Sequence, residues 1–486
     1  MIFLFENIHK NNIYKNLYNG QWVESSNMPI EIFSPVDGTL VGKIQSMNER
    51  EVDASIQNSQ LSQLSWGETP INKRSEILHR AADILSNKVD FLVSILQKEI
   101  AKDKKSSISE IQRTVDFIRF VAEEGKHLHG ETVSSENFPG FNKNKISFVT
   151  RVPIGVVLAI SPFNYPINLS ASKIAPALIA GNSVVLKPPT QGAISTLYLA
   201  EIFNEAGIPK GVLNTVTGKG SIIGDYLVTH KDINFINFTG SSDIGKHIAV
   251  VAGMVPMLME LGGKDAALVL KDADLEKTAD NIVSGAYSYS GQRCTAVKRV
   301  LVEETIADEL VLELKERVEK LKVGNPEDEV DITPLINNEA ADYVEGLIKD
   351  AIVKGATMLT PSKRKGNLIY PVLFDKVTTD MRLAWEEPFG PVLPIIRVKN
   401  IDEAIVIANS SQYGLQSSIF TRDINKAFYI ANKLEVGTVQ INNKTERGPD
   451  NFPFLGVKSS GLGTQGVRYS IEAMSRPKAI VLNIEN

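Results

Sequence analysis

The chain has 486 residues, 43% hydrophobic and 22% charged, which is the balance of a soluble globular protein long enough for two or three domains. Its net charge of -5 argues against a nucleic-acid binder, which would carry a basic excess or stripe. A single cysteine, Cys294, allows no intramolecular disulfide and points to a reducing compartment, most simply a cytoplasm.

Met1 to Phe5 is apolar but meets Glu6 at once, without the basic start and longer apolar core of a secretory signal. The first ten or so residues are expected to form a loosely held extension. No stretch reaches the roughly 18 apolar residues needed to cross a bilayer, so no membrane partner is expected. Apolar residues at helical spacing predict helices over Glu76–Leu85, Phe91–Ile100 and Ser107–Gly125, the last carrying Arg113. His127 and His129, two apart, would face different sides of a helix. The histidines are scattered and make no paired zinc pattern, so no metal site is expected. A polar stretch, Ser134–Lys145, then precedes a strand near Ile146–Val149.

The next hundred or so residues alternate strongly. Apolar runs at Val156–Ile160, Val184–Leu186, Val212–Val216, Phe235–Phe238 and Met257–Met259 are separated by amphipathic segments at Asn168–Ala180, Ala193–Ala206, Ser221–Thr229 and Ser242–Gly253. That pattern predicts a parallel α/β sheet with covering helices, whose ligands bind at the carboxyl ends of the strands. Alternation resumes at Ala267–Leu270, Val300–Val302, Val392–Ile396, Ser417–Phe420 and Thr438–Ile441, with helices such as Ile306–Leu321 and Asp402–Ala408. This predicts a second α/β domain. Ala479–Leu482 closes the chain as a strand without a local partner, expected to pair elsewhere, for instance across a subunit boundary.

Several segments at these strand ends carry reactive groups. Cys294 lies in Tyr289-Ser-Gly-Gln-Arg-Cys294-Thr295, where Arg293 would favour a thiolate if the two side chains face each other; a free cysteine is as often a buried structural residue. Glu260, after the run Pro256-Met-Leu-Met259 and before Gly262-Gly263, suits a general base in a cleft, whereas most glutamates are surface acids. Asn164, in Ser161-Pro-Phe-Asn164-Tyr165-Pro166, could donate to an oxyanion or be an ordinary turn residue. Phe238-Thr-Gly240-Ser241 through Gly245 opens a helix whose amides could take a phosphate, although it lacks the three-glycine dinucleotide fingerprint.

In order and separation, these segments together with Glu260-Leu-Gly-Gly-Lys264 and Glu386-Glu387-Pro-Phe-Gly390-Pro391 resemble the motifs of the aldehyde dehydrogenase superfamily, from about Leu17 to the end. Leu186-Lys-Pro-Pro-Thr190-Gln, Gly-Gln-Arg-Cys294-Thr-Ala-Val-Lys-Arg and Asn442-Asn-Lys-Thr-Glu-Arg447-Gly-Pro-Asp further resemble its non-phosphorylating, NADP-dependent, glyceraldehyde-3-phosphate-oxidising branch. The resemblance implies the aldehyde dehydrogenase fold. A Rossmann-like cofactor domain would span 14–130 and 150–258, an α/β catalytic domain 259–455, and a small β oligomerisation element 131–149 and 470–486 of a cytoplasmic homotetramer.

It also implies residue roles. Cys294 would be the nucleophile that forms a thioester, Asn164 and the Cys294 N–H the oxyanion donors, and Glu260 the base for hydrolysis. NADP would be held by Ser161, Pro162, Lys187, Thr190, Gly218, Gly240, Ser241, Gly245, Leu261, Glu387 and Phe389. Thr190 stands where NAD-preferring relatives tend to carry an acid, and Lys187 supplies charge for a 2′-phosphate. Arg113, Tyr165, Arg293, Thr295 and Arg447 would bind a phosphorylated aldehyde, since arginine forks match phosphate oxygens. The implied reaction is oxidation of D-glyceraldehyde 3-phosphate to 3-phosphoglycerate without inorganic phosphate. The Cys294 segment holds no histidine of the kind a phosphorylating Cys–His pair would need. The alternatives are another small anionic aldehyde, such as a semialdehyde, using the same arginines, and a non-catalytic protein that keeps the fold.

Overall fold

Short β-branched runs separated by helices can be buried on both faces only if the helices cover a parallel sheet. In this computed structural model, which describes residues 6–484, that is how 156–260 folds. The strands Val156–Ile160, Ser183–Lys187, Leu213–Thr215, Phe235–Thr239 and Met257–Glu260 lie parallel, in the spatial order third, second, first, fourth, fifth. Gly461–Leu462 adds an antiparallel edge beside Glu260. The order reverses between Val156–Ile160 and Phe235–Thr239, so the chain leaves these two strands in opposite directions and a crevice opens at their carboxyl ends.

The helix Pro166–Ile179 begins with proline at its first position, where no N–H is needed, and every one of its residues is buried. An all-round buried helix belongs at the centre of a core, and this one packs against the helices Lys104–Glu124 and Ala193–Glu205. Each fully buried valine, leucine or isoleucine there contributes about 1.5–3 kcal/mol.

A second sheet orders Thr357–Met358, Val372–Asp375, Val392–Val398, Arg299–Glu303, Ala266–Val269, Gln416–Phe420 and Thr438–Ile441, all parallel except the first. Both predicted α/β regions are therefore present. The two sheets follow each other through the short link 261–265, which places Glu260 at the end of one and Asp265 at the start of the other.

The start of the chain departs from expectation. Residues 1–5 lie outside the described residues, but from Glu6 onward the start is not a loose extension. Ile8 is fully buried, and His9–Lys10 pairs with Ile13–Tyr14 across a tight turn at Asn11 and Asn12, both at positive φ, a conformation asparagine tolerates. The closing strand is Ser475–Asn483 and, as expected, it pairs far from its neighbours in sequence, antiparallel with Lys145–Pro153 of the same chain. His127 and His129 do not sit on one helix, since the helix ends at Glu124, and their rings stand edge to face at 6.0 Å.

Candidate active site

The helix Leu275–Tyr287, capped by Asp274, delivers the chain to the cysteine. Tyr289, Ser290 and Gly291 then take left-handed conformations at φ 50, 53 and 72, a strained run that persists only when its surroundings over-determine it. They do so here. The Ser290 hydroxyl donates to the Thr333 carbonyl at 2.9 Å and accepts from the Thr333 N–H at 2.9 Å. Gln292 Oε1 accepts from the Ile336 N–H at 3.0 Å, and the Gln292 carbonyl accepts from Asn164 Nδ2 at 2.9 Å. Asn164, buried after the strand Val156–Ile160, is thus brought within two residues of Cys294. Its second N–H and the Cys294 backbone N–H, which no acceptor takes among the described residues, remain available to an oxyanion.

Cys294 is half-buried and faces a cavity of about 520 Å3. Burial pushes its thiol up to about 11; Lys298 opposes this, while the carboxylates of Glu387, Asp265 and Glu260 add to it. Lys298 donates to the Cys294 carbonyl and pairs with Glu387 at 3.2 Å. The expected help from Arg293 is not realised: its guanidinium donates to the Gly285 carbonyl, and its charge is not among the main influences on the thiol. The cation that favours thiolate is Lys298, four residues on, which the local sequence offered as a Lys but without a sign of its direction.

Glu260 lines the same cavity at 2% exposure, and neither of its carboxylate oxygens has a hydrogen-bond partner. It is no surface acid. Burial pushes its carboxyl up to about 8, against the pull of Arg447 and Lys173. Lys173, fully buried on the central helix, donates to the Thr239 hydroxyl at 2.6 Å, and burial brings its ammonium down to about 7. A buried acid with unused oxygens beside a thiol has the features of a general base in a cleft.

The structure also gathers Arg113, Tyr165, Arg293, Thr295 and Arg447 around this cavity, from four separate segments. Sequence reasoning missed Asp450, which binds Arg113 through both carboxylate oxygens at 2.6 and 2.8 Å and reaches Arg447 at 3.4 Å. Burial alone would raise the Asp450 carboxyl, but the bonds from Arg113 and the charge of Arg447 hold it below its ordinary value. One carboxylate thus fixes two arginines against the cavity wall. Asp450 stood in the quoted motif three residues after Arg447, and that spacing was the available signal.

The remaining residues collect at the mouth of the first sheet. Ser161 and Pro162 follow Val156–Ile160, Lys187 ends Ser183–Lys187 just before Thr190, Gly218 follows Leu213–Thr215, Gly240 and Ser241 follow Phe235–Thr239, and Leu261 follows Met257–Glu260. A Cβ on Gly240 would come within 2.5 Å of the Phe238 ring, and one on Gly245 within 2.4 Å of Leu261. The helix Ser242–Val251 begins there with no side-chain cap on its amides, which leaves them open to an anion. Glu387 and Phe389 reach the crevice from the second sheet. Glu387 accepts from the Gly263 N–H at 3.2 Å, and the Phe389 ring stands edge to face with Phe163 at 5.9 Å. Lys187 is 7% exposed, and among the described residues its ammonium has only the Pro188 carbonyl, at 3.1 Å, as partner. Burial lowers it to about 8, with no carboxylate to restore it. A cation so placed fits an incoming anionic group.

Comparison with known proteins agrees with this geometry. The chain is 58% identical over 471 residues to an NADP-dependent glyceraldehyde-3-phosphate dehydrogenase of Streptococcus equinus, covering 97% of this chain and 99% of that one. It is 50% identical over 484 residues to the Arabidopsis thaliana enzyme of the same name, covering 99% and 97%. The crystal structure of NADP-dependent glyceraldehyde-3-phosphate dehydrogenase from Bacillus halodurans complexed with NADP superposes with a TM-score of 0.96 at 53% identity, covering 97% of this chain and 99% of that one. The profile of the aldehyde dehydrogenase family matches residues 22–480, and the chain is a member of that family.

Proposed function

We propose that this chain oxidises D-glyceraldehyde 3-phosphate to 3-phosphoglycerate with NADP and water, through a thioester on Cys294 and without inorganic phosphate. The observation that carries this is the single cavity in which Cys294 and Glu260 face Arg113, Arg293 and Arg447. The relatives named for the same substrate and cofactor support it. The fit for NADP rests on the near-buried Lys187 ammonium, which meets no carboxylate among the described residues, and on the cradle of Gly240 and Gly245, which side chains would fill.

The arginines and Tyr165 hold the substrate phosphate and set the aldehyde over Cys294. Cys294 loses its proton to solvent water, and the thiolate attacks the aldehyde carbon. Asn164 Nδ2 and the Cys294 N–H bind the oxyanion; losing one such donor typically costs about 2.7–4 kcal/mol of barrier. Glu387 and Lys187 are among the residues that would hold NADP, which when bound would supply the acceptor for the hydride leaving this carbon. Glu260 then takes a proton from water, whose oxygen attacks the thioester carbonyl, and the acid leaves as sulfur regains a proton. Cofactor binding belongs to 14–130 and 150–258 and catalysis to 259–455, while 131–149 and 470–486 serve assembly into a cytoplasmic homotetramer. In support of assembly, the closing strand is an exposed edge.

The deciding experiment is NADPH formation from glyceraldehyde 3-phosphate by the purified protein in phosphate-free buffer. Sustained turnover is expected. Turnover that depends on added phosphate, or none at all, overturns the reading.

A further inference from the structure

Asn164 and Tyr165 act only if their turn stands correctly against Cys294, and the groups that fix this turn lie behind it. Lys102 and Glu110 have fully buried side chains and form an ion pair, Nζ to Oε2, at 2.5 Å. The chain enters this position through Ala101, which ends the helix Val89–Ile100 in a left-handed conformation at φ 52. The Lys102 ammonium also donates to the Asn164 carbonyl at 2.8 Å. It lies 3.4 Å from the centre of the Tyr165 ring and 4.5 Å from that of Tyr289. Glu110 Oε1 accepts from the Ile167 and Asn168 N–H groups at 2.9 and 3.0 Å, the free amides at the start of the central helix. The pair therefore spends its bonds on residues 164–168, while its ammonium also touches Tyr289, which leads the strained loop to Cys294.

Apolar side chains of similar volume would fill this space without desolvating two charges, so burial alone does not account for the pair. Resting on the assignment of Asn164 as oxyanion donor, we propose that Lys102 and Glu110 are a positioning pair that ties the 164–168 turn to the 288–294 loop and so sets Asn164 against Cys294 and Tyr165 into the phosphate pocket. The Asn164 amide meets the Gln292 carbonyl, and the Tyr165 and Tyr289 rings meet edge to face at 5.9 Å, both across the same seam. A shift of about 1 Å at such a seam can cost about a hundredfold in rate.

A double-mutant cycle tests this, read by the pre-steady-state NADPH burst and by KM for glyceraldehyde 3-phosphate. Lys102→Met is expected to slow acylation by about tenfold or more in the wild-type background and by less than about twofold in the Asn164→Ala background, because the group it positions is gone. KM is expected to rise in both backgrounds through Tyr165. Should Lys102→Met leave the Glu110 charge stranded and fail to fold, the Lys102→Met/Glu110→Gln variant carries the same cycle, since glutamine still accepts from Ile167 and Asn168. Additive slowing in the two backgrounds, or unchanged acylation in a folded Lys102 variant, overturns the proposal while leaving the oxyanion assignment standing. Wild-type acylation by Asn164→Ala itself would sink the assignment, and the positioning pair with it.

Discussion

At the scale of single residues, burial sets the chemistry. Glu260 titrates near 8 because its oxygens are desolvated and unbonded. A raised carboxyl is protonated at neutral pH and cannot take a proton from water; its basic form grows as pH rises. Thioester hydrolysis should therefore increase by about tenfold per pH unit below the Glu260 midpoint and level off above it. Glu260→Ala should keep the NADPH burst, stall at the thioester and lose this profile; absence of the burst would show that Glu260 also acts in acylation. Arg447 pulls the Glu260 carboxyl down, so Arg447→Ala should move the hydrolysis midpoint upward. The same variant should raise KM for glyceraldehyde 3-phosphate by about tenfold or more, the worth of a lost charge-assisted bond. KM for unphosphorylated glyceraldehyde should change little, and an equal rise for both would show that Arg447 does not serve a phosphate. Cys294, Glu260 and the arginines were legible because their segments occur in a known order. Asp450, Lys298 and Lys173 were not, because whether a charged side chain turns into a cavity or toward solvent is decided by packing far away in sequence.

Secondary elements were legible where their pattern was strong. The buried strands of the first sheet, most of those of the second and the four helices between the strands of the first announced themselves as apolar runs and helical periods, whereas the buried strand Val372–Asp375 went unread. The helix Glu49–Gly67 went unread because it is mostly polar, with Val52, Ile56 and Trp66 as its buried apolar contacts; its available signal was the capping box of Asn48 and Glu51. The helices Asn338–Val353 and Ile424–Ala431 were passed over in the same way, although Asn337 and Asp423 cap them. What no period could reveal is the strained entry to Cys294. Gly291 stands at φ 72, and a Cβ there would meet the Gly390 carbonyl oxygen at 2.4 Å, a backbone atom that cannot swing aside. Gly291→Ala should thus cost at least the 1–3 kcal/mol or so of a strained residue and also shift Cys294. The expected result is a lowered Tm together with slower alkylation of the sole thiol. Unchanged values for both would mean that the loop can relax without its glycine.

For the molecule as a whole, the three-stranded sheet of Glu131–Ser134, Lys145–Pro153 and Ser475–Asn483 is the part that the rest of the chain leaves uncovered. Within Ser475–Asn483 every residue after Ser475 is exposed, and Ile480, Val481 and Leu482 are 58%, 54% and 51% accessible. Three consecutive side chains of a strand point to both faces, so neither face of this edge strand is buried by the described residues. The strand is also an edge, with one row of backbone N–H and C=O groups paired to no other strand among the described residues. Natural proteins blunt such edges with charge or cover them, and this one carries its charges, Arg476 and Lys478, before the apolar trio rather than in it. A covered edge is the consistent reading, and the homotetramer proposed above would supply the cover. Light scattering should accordingly find the wild-type protein as a tetramer. Ile480→Lys/Leu482→Lys should yield a smaller species with unchanged far-ultraviolet circular dichroism, because these side chains contribute nothing to the core of their own subunit. A wild-type monomer, or a tetramer indifferent to both charges, would show that this strand is not where the subunits meet.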